Sequence, residues 1–484
     1  MMEEKKKKSH FLVIGGGISG ISCVEQLHLL CPDKKVTLIT ATDLVKSVVN
    51  LAQYGRNLEE FDVEEKNIES FCEGLRNVSV VKGVVKSFNP IGGIPKLIDS
   101  NNPYVIGIRD TSSVKALRKR LSEARRVAII GNGGIALELV FELSGCEVLW
   151  AIKDDAIGNN FFDKGAATFL IPHLEKSKDV SSTETVVKRM KFGIVESEVK
   201  FPSQEVSSSQ PKLCGGALGP DWSSGLSLHS NTESDSHRHV HIEYKCQVDA
   251  ILSAQELKYH NLKETVFPKS KSTSSCCRQW PVYVKLTNGE MYGCDFVVSA
   301  TGVVPNTAPF HSNANFILDE DGGIKVDENM RTNIPDVYAA GDVCTASWEP
   351  AKCWFQMRLW SQARPMGAFA AHCMMCHLEG QETHLDFCFE LFAHVTKFFG
   401  FKVVLLGKFN AQGLGDDYQL LLRCTKGVEY VKVVLHNGRM VGAVLIGETD
   451  LEETFENLIL NEIDLSEFGE SLLDPRVDID DFFD

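Results

Sequence analysis

Apolar side chains run unbroken over residues 11–14, stop at a cluster of glycines, resume with helical spacing over 21–30 and run again over 36–39. Short continuous apolar runs bounded by turn residues predict buried parallel strands, and the stretch between them a crossover helix, so this segment reads as a βαβ unit. The same pattern returns over 125–152, with a strand at 127–130, a helix at 135–143 and a strand at 147–152. Further strand-length runs occupy 282–286, 296–299, 403–406, 420–424, 430–435 and 440–446, and the Asn437-Gly438 dipeptide predicts a tight hairpin between the last two. Residues 175–277 are polar and serine-rich, with Ser207-Ser208-Ser209 and little periodicity, which predicts an insertion of loops. Its apolar, turn-forming exception is residues 215–222.

The glycines between the first strand and helix are Gly15-Gly16-Gly17-Ile18-Ser19-Gly20, and the second unit carries Gly131-Asn132-Gly133-Gly134-Ile135-Ala136 in the same place. Strand, glycine loop and helix together mark a dinucleotide site: the first glycine turns the chain, the second lets backbone approach a pyrophosphate, and the third position packs helix on strand. Gly15, Gly17 and Gly20 are therefore candidate ligand residues, as are Gly131, Gly133 and Ala136. An acidic residue usually ends the second strand and binds a ribose hydroxyl. Thr40 holds that place in the first unit, where a hydroxyl can accept a neutral hydrogen bond. In the second unit the strand ends at Ile152-Lys153, and Lys153 leans weakly towards a 2′-phosphate, leaving NADH and NADPH both open.

With 484 residues the chain exceeds one ordinary core and should form two to four domains. Hydrophobic residues make up 43% and charged residues 24%, but no apolar run reaches membrane-spanning length, so no membrane association is expected. The net charge of −15 argues against direct sequence-independent binding of nucleic acid. The N-terminus, MMEEKKKKSH, lacks an apolar signal segment and an Arg-rich presequence, which predicts a cytoplasmic and nuclear protein. Lys5 to Lys8 read as a solvated terminus before they read as a nuclear address. The 15 cysteines, an odd count without a signal peptide, are expected as free thiols.

Two later motifs fix the order of parts: Ala300-Thr301-Gly302-Val303-Val304-Pro305-Asn306, and Tyr338-Ala339-Ala340-Gly341-Asp342-Val343. Glycine loop, second glycine loop, ATG-like turn, Gly-Asp motif and C-terminal module, in that order, resemble the pyridine nucleotide-disulfide oxidoreductase family. The resemblance implies an α/β fold with two Rossmann-like three-layer nucleotide-binding domains, for FAD and NAD(P), and a smaller α+β C-terminal domain. It places the FAD domain at 1–110 with 292–380, the NAD(P) domain at 111–291 and the C-terminal domain at 381–484. Residues carried over are Gly341 and Asp342 for the flavin ribityl chain and Gly302 at the crossover between the nucleotide domains. Lys46 and Glu138 follow as a flavin-facing pair, with two surface charges as the plain alternative. The cofactors implied are FAD, with NAD(P)H as co-substrate. A closer likeness to an animal member of the family rests on Phe61-Asp62-Val63-Glu64-Glu65, Ala156-Ile157-Gly158-Asn159, 217–222 and 442–458. It implies a partner, the tRNA ligase complex, shielded from oxidation.

Two features depart from the family pattern. Residues 41–53 contain no cysteine, so disulfide reduction is not expected and electrons should leave the flavin for another acceptor. The strand near 80–86 passes almost directly to Gly92-Gly93-Ile94-Pro95 where the family has a hairpin and an early ATG-like turn, a shortfall of about two dozen residues, more than loop variation explains. A skipped exon or a faulty gene model would leave such a gap. The remaining motifs read as structural. Cys373-Met374-Met375-Cys376-His377 has haem-attachment spacing but lies on a helix after the Gly-Asp motif; His237, His239 and His241 alternate as on a strand face; Cys276-Cys277 are expected as thiols. Trp348, Trp354 and Trp360 are expected as core and cover residues and not as a stacking site, and a helix near 356–366 should aim its N-terminal amides at the flavin. The rival functions are a non-catalytic FAD-holding interaction protein, and a quinone or disulfide reductase using Cys373 or Cys376.

Overall fold

Each apolar run before a glycine loop forms a parallel strand, and each loop turns directly into a helix. The computed structural model describes residues 10–85, 102–108, 111–143, 145–174, 185–192, 239–268, 279–311, 314–477 and 479. The chain begins β1 (His10–Ile14), α1 (Ile18–Leu30), β2 (Lys35–Thr40), β3 (Leu44–Gln53), β4 (Glu59–Asn67), α2 (Ile68–Cys72), β5 (Val78–Lys82). It continues β6 (Val105–Gly107), α3 (Thr111–Leu121), β7 (Arg126–Ile130), α4 (Gly134–Glu142), β8 (Glu147–Ala151), α5 (Lys164–Leu174), β9 (Thr185–Phe192), β10 (His239–Glu243), β11 (Val248–Ser253), α6 (Ala254–Tyr259). Then come β12 (Val282–Leu286), β13 (Met291–Cys294), β14 (Phe296–Ser299), α7 (Ala308–His311), β15 (Ile324–Val326), β16 (Cys344–Ala346) and α8 (Trp360–Glu379). The C-terminal part holds β17 (Ala393–Phe398), β18 (Phe401–Gly407), β19 (Tyr418–Thr425), β20 (Glu429–His436), β21 (Arg439–Ile446) and α9 (Glu452–Leu460). The molecule is mixed α/β, with parallel sheets and a C-terminal antiparallel sheet, and it divides into two compact units: Met1–Ser100 with Val303–Val395, and Asn101–Gly302 with Thr396–Asp484.

In the first unit β1, β2 and β5 form a parallel sheet in the order β1-β2-β5. Val13, Leu38 and Val36 face α1, where Ile21, Val24 and Leu27 meet them together with Phe71 and, from α8, Ala371. On the other face Leu12 is 56% and Val81 50% exposed, and no further strand pairs with β1 among the described residues. Residues 41–53, without cysteine, supply β3 of the hairpin β3–β4, and Glu59 of β4 pairs with Arg364 of α8. The place before Gly92-Gly93-Ile94-Pro95 lies outside the described residues, as do Lys5 to Lys8, Ser207-Ser208-Ser209, residues 215–222, His237 and Cys276-Cys277.

In the second unit five parallel strands run β10-β8-β7-β14-β6, and the antiparallel β11-β12-β13 covers them through Ala128, Leu149, Phe267, Val284 and Val297. The six-stranded C-terminal sheet is ordered β17-β18-β21-β20-β19-β9. The stretch expected as loops thus contains β9, β10, β11 and α6, and β9 pairs antiparallel with β19. All five residues of β10 (HVHIE) are half-buried; their polar–apolar alternation is the strand pattern that the alternating histidines already showed, but five residues inside a long polar stretch are too few to outweigh it. Asn437 and Gly438 both take positive φ, 51° and 73°, as the tight hairpin between β20 and β21 requires.

Candidate functional site

The glycines of the first loop do different work. Gly15 has φ +116° and donates its N–H to Ile39 O at 2.8 Å, bending the chain back over the sheet. A Cβ at Gly20 would lie 2.0 Å from Gly15 O, so that position is closed by packing. Gly17, the N-cap of α1, is the opposite case: φ is −78°, and a Cβ there would meet nothing within 4 Å. That open space before a helix N-terminus is where backbone amides receive a pyrophosphate. Thr40, 3% exposed, sits over Gly16, and the Lys46 N–H donates to Gly16 O at 3.0 Å, so β3 starts against the loop.

The Gly-Asp motif closes on the same helix. Gly341 has φ +77°, and its Cβ position lies 2.8 Å from Ser19 Cβ, while that of Gly367 on α8 lies 2.0 Å from Ser19 O. Only glycines admit this approach. Asp342 follows, exposed; partial desolvation raises its carboxyl, and the charges of Arg358 and Lys46 oppose that rise. Arg358 donates from Nε to Asp342 O at 3.0 Å and from a terminal nitrogen to Asp321 at 2.7 Å, bracing the turn. Lys46 Nζ lies 5.3 Å from the Trp360 ring centre, and Trp360 is 54% exposed. The structure therefore brings together Gly15, Gly17, Gly20, Thr40, Lys46, Gly341 and Asp342, and adds Arg358, which sequence reasoning missed, and Trp360, expected as a core or cover residue. Trp348 and Trp354 do stack in the core, 5.6 Å apart. The helix expected near 356–366 starts at Trp360, because Gln356 bonds to Ala346 N–H and Cys344 O and holds its stretch extended.

In the second loop Gly131 has φ +134°, and a Cβ would stand 2.0 Å from Ala300 O, so the loop packs on the Ala300-Thr301-Gly302 turn. Gly133, the N-cap of α4, has φ −91° and nothing within 4 Å of its Cβ position, repeating the open cradle of Gly17. Ala136 is fully buried. Asn132 was missed: its amide donates to Asp154 Oδ2 at 2.8 Å and Ala156 O at 2.9 Å, and its carbonyl accepts from the Gly158 N–H at 2.6 Å. This ties the loop to the chain after β8, where Ile152 is buried and Lys153 exposed. Gly302, with φ +106°, ends this part of the second unit. Glu138 is exposed on α4, its carboxyl raised by partial desolvation and then by Glu142. Lys46 belongs to the first unit and Glu138 to the second.

The cysteine and histidine motifs sit in packing environments. Cys373 and Cys376 are buried in α8, and burial pushes the Cys373 thiol up to about 12. His377 Nδ1 is bonded to the Tyr338 hydroxyl at 2.7 Å. His239 and His241 both set their rings against Phe267.

Residues 248–367 match the family model described as pyridine nucleotide-disulphide oxidoreductase, and 393–463 the rubredoxin NAD+ reductase C-terminal domain. Relatives called pyridine nucleotide-disulfide oxidoreductase domain-containing protein 1 are 51% identical in Rattus norvegicus, over 100% of both chains, and 39% identical in Dictyostelium discoideum, over 98% of this chain and 100% of the relative. Among solved structures, a NAD-dependent persulfide reductase from A. fulgidus is similar with TM-score 0.62 and 16% identity, covering 95% of this chain and 78% of that one. The water-forming NADH oxidase from Lactobacillus brevis is similar with TM-score 0.56 and 13% identity, covering 97% and 94%. Full-length identity at this level, on a fold with two open glycine cradles, places the chain in the pyridine nucleotide-disulfide oxidoreductase family, whose members bind FAD and use NAD(P)H.

Proposed function

We propose that this chain is an FAD-dependent NAD(P)H oxidoreductase that passes electrons from the flavin to an acceptor other than a protein disulfide. The observation that carries the reading is the pair of cradles at Gly17 and Gly133, each open at a helix N-cap, with Asp342 set beside the first loop's helix through Gly341 and Ser19. FAD, when bound, supplies the chemistry of accepting hydride from a reduced nicotinamide and releasing electrons onward. The chain's residues bind and orient. Amides at Gly17 and Gly133 receive pyrophosphates, the Asp342 carboxylate accepts from a ribityl hydroxyl, and Arg358 holds the Asp342 turn. The assignment of Lys46 and Glu138 to face the flavin rests on the resemblance alone; the Lys46 charge acts on the Asp342 carboxyl, and its Nζ lies 5.3 Å from the Trp360 ring centre. The burial of Cys373 and Cys376 supports a non-disulfide acceptor. An absorption spectrum of the purified protein before and after anaerobic NADH or NADPH tests this: a flavin spectrum that bleaches supports it, and a flavin that neither nucleotide reduces removes it.

The finer role follows from resemblance alone: protection of the tRNA ligase complex from oxidative inactivation, in the cytosol and nucleus. It is tested by oxidising that complex with and without this protein and NAD(P)H and measuring ligation. Equal loss of ligation in both arms would end the proposal.

A further inference from the structure

A buried charge cluster in the second unit has no part in the chemistry above. Asp163 is 1% and Lys432 2% exposed, and Lys432 Nζ pairs with Asp163 Oδ2. Lys432 also donates to Asn410 Oδ1 at 2.7 Å, and the fully buried Tyr430 hydroxyl donates to Asp163 Oδ1 at 3.1 Å. The same Oδ1 accepts from the Ala166 N–H at 2.8 Å, in the first turn of α5. Lys432 and Tyr430 lie on β20 of the C-terminal sheet, whereas Asp163 immediately precedes α5. A buried pair of this kind gains little over apolar side chains of equal volume, so its use lies in fixing one geometry.

The geometry it fixes leads to the second glycine loop. Asp163 directly follows Phe161 and Phe162, whose rings lie 5.2 and 5.4 Å from that of Phe398. Phe161 and Phe398 both stand 3.7 Å from the Cβ position of Gly134, the first residue of α4. Gly158, with φ +65°, has Phe162 2.3 Å from its Cβ position, and its N–H is held by Asn132 in the loop. Residues 158–163 are thus a strut with one end under the loop and the other on the C-terminal sheet.

We propose that Lys432 is a positioning residue for the second glycine loop: by seating Asp163 it sets the strut beneath Asn132 and Gly134, and through it the loop's affinity for NAD(P)H. The proposal rests on the reading of 131–136 as the NAD(P)H site. Lys432 touches no cofactor, so its effect belongs in nucleotide binding and not in flavin retention. A merely structural pair would lower the melting temperature and leave both affinities of the folded protein unchanged.

The test uses the full chain as wild type, Lys432→Met and the double variant Asp163→Asn with Lys432→Met, which leaves no lone buried charge should the single variant fail to fold. Three quantities are measured: dissociation constants for NADH and NADPH from the change in their fluorescence, flavin content, and hydrogen exchange over 153–163. The expected result is nucleotide binding weakened at least ~10-fold in the folded variants, faster exchange in the strut and unchanged flavin content. Wild-type affinity in folded variants, whatever their melting temperature, overturns the proposal alone. A wild-type protein that binds neither nucleotide overturns the functional reading and the proposal with it.

Discussion

At the residue level the two loops make opposite demands on their glycines, and this separates ligand effects from folding effects. Gly133→Val places its side chain in open space at an allowed φ, so the fold should be kept while the pyrophosphate is excluded. We expect an unchanged melting temperature, bound FAD and no flavin reduction by NAD(P)H; normal reduction would show that this loop is not the nucleotide site. Gly131→Val should instead destabilise the fold, by about 1–3 kcal/mol for its backbone conformation before the clash with Ala300 O is counted. Asp342→Ala removes a charge-assisted hydrogen bond of about 1.5–3 kcal/mol and should shed flavin, which the ratio of flavin to protein absorbance reports. Glycine spacing was enough to find Gly17 and Gly133 in the sequence. Asn132 and Arg358 were not legible, because their importance lies in partners far along the chain, at Ala156 and Gly158 and at Asp321.

The contact of α1 with α8 is what makes one site of two distant motifs. Gly367→Ala puts a Cβ 2.0 Å from Ser19 O, so α8 must shift away from α1, and the variant should lose both stability and flavin. Retention of both would show that the helices adjust without disturbing the Gly341-Asp342 turn. The His394 ring, hydrogen-bonded to Ser361 at the start of α8, is held neutral by burial, its pKa pushed down from 6.5 to about 4. Because the unfolded chain then protonates first as pH falls, stability should decline between pH 6.5 and 4, by up to about 1.4 kcal/mol per pH unit. Thermal melts across that window should show a shallower slope for His394→Gln; equal slopes would assign the acid sensitivity elsewhere. Strands with buried faces, such as β7 and β20, were legible as apolar runs. Hairpin β3–β4 was not, since Glu59, Glu60, Asp62, Glu64 and Glu65 interrupt the alternation of β4.

For the whole molecule, the order of parts was legible because each glycine motif carries its own local geometry. What escaped was that the polar stretch supplies β9 to the C-terminal sheet, a pairing across more than two hundred residues that no local pattern encodes. The remaining question is whether the first unit is whole. In a Rossmann sheet ordered 3-2-1-4, the strand before the glycine loop is an inner one, with strand 4 beyond it. Here β5-β2-β1 supplies the 3-2-1 half, and among the described residues nothing pairs beyond β1, where Leu12 is 56% exposed. The alignment with the Rattus norvegicus relative spans 506 positions, more than the 484 residues of this chain. An inner strand left open would leave backbone groups and apolar surface without partners beside the loop that should hold FAD. If β1 is open in this way, this chain should hold FAD less tightly than a variant with a hairpin and strand restored before Gly92. Since a ligand at 100 times its dissociation constant stabilises the folded state by about 2.7 kcal/mol, the restored form should also melt higher when FAD is added, and by more than this chain does. Titration of both forms with FAD, followed by flavin fluorescence and thermal melts, decides the matter. Equal affinity and equal FAD-induced shifts would mean that the gap before Gly92 is a tolerated family variation.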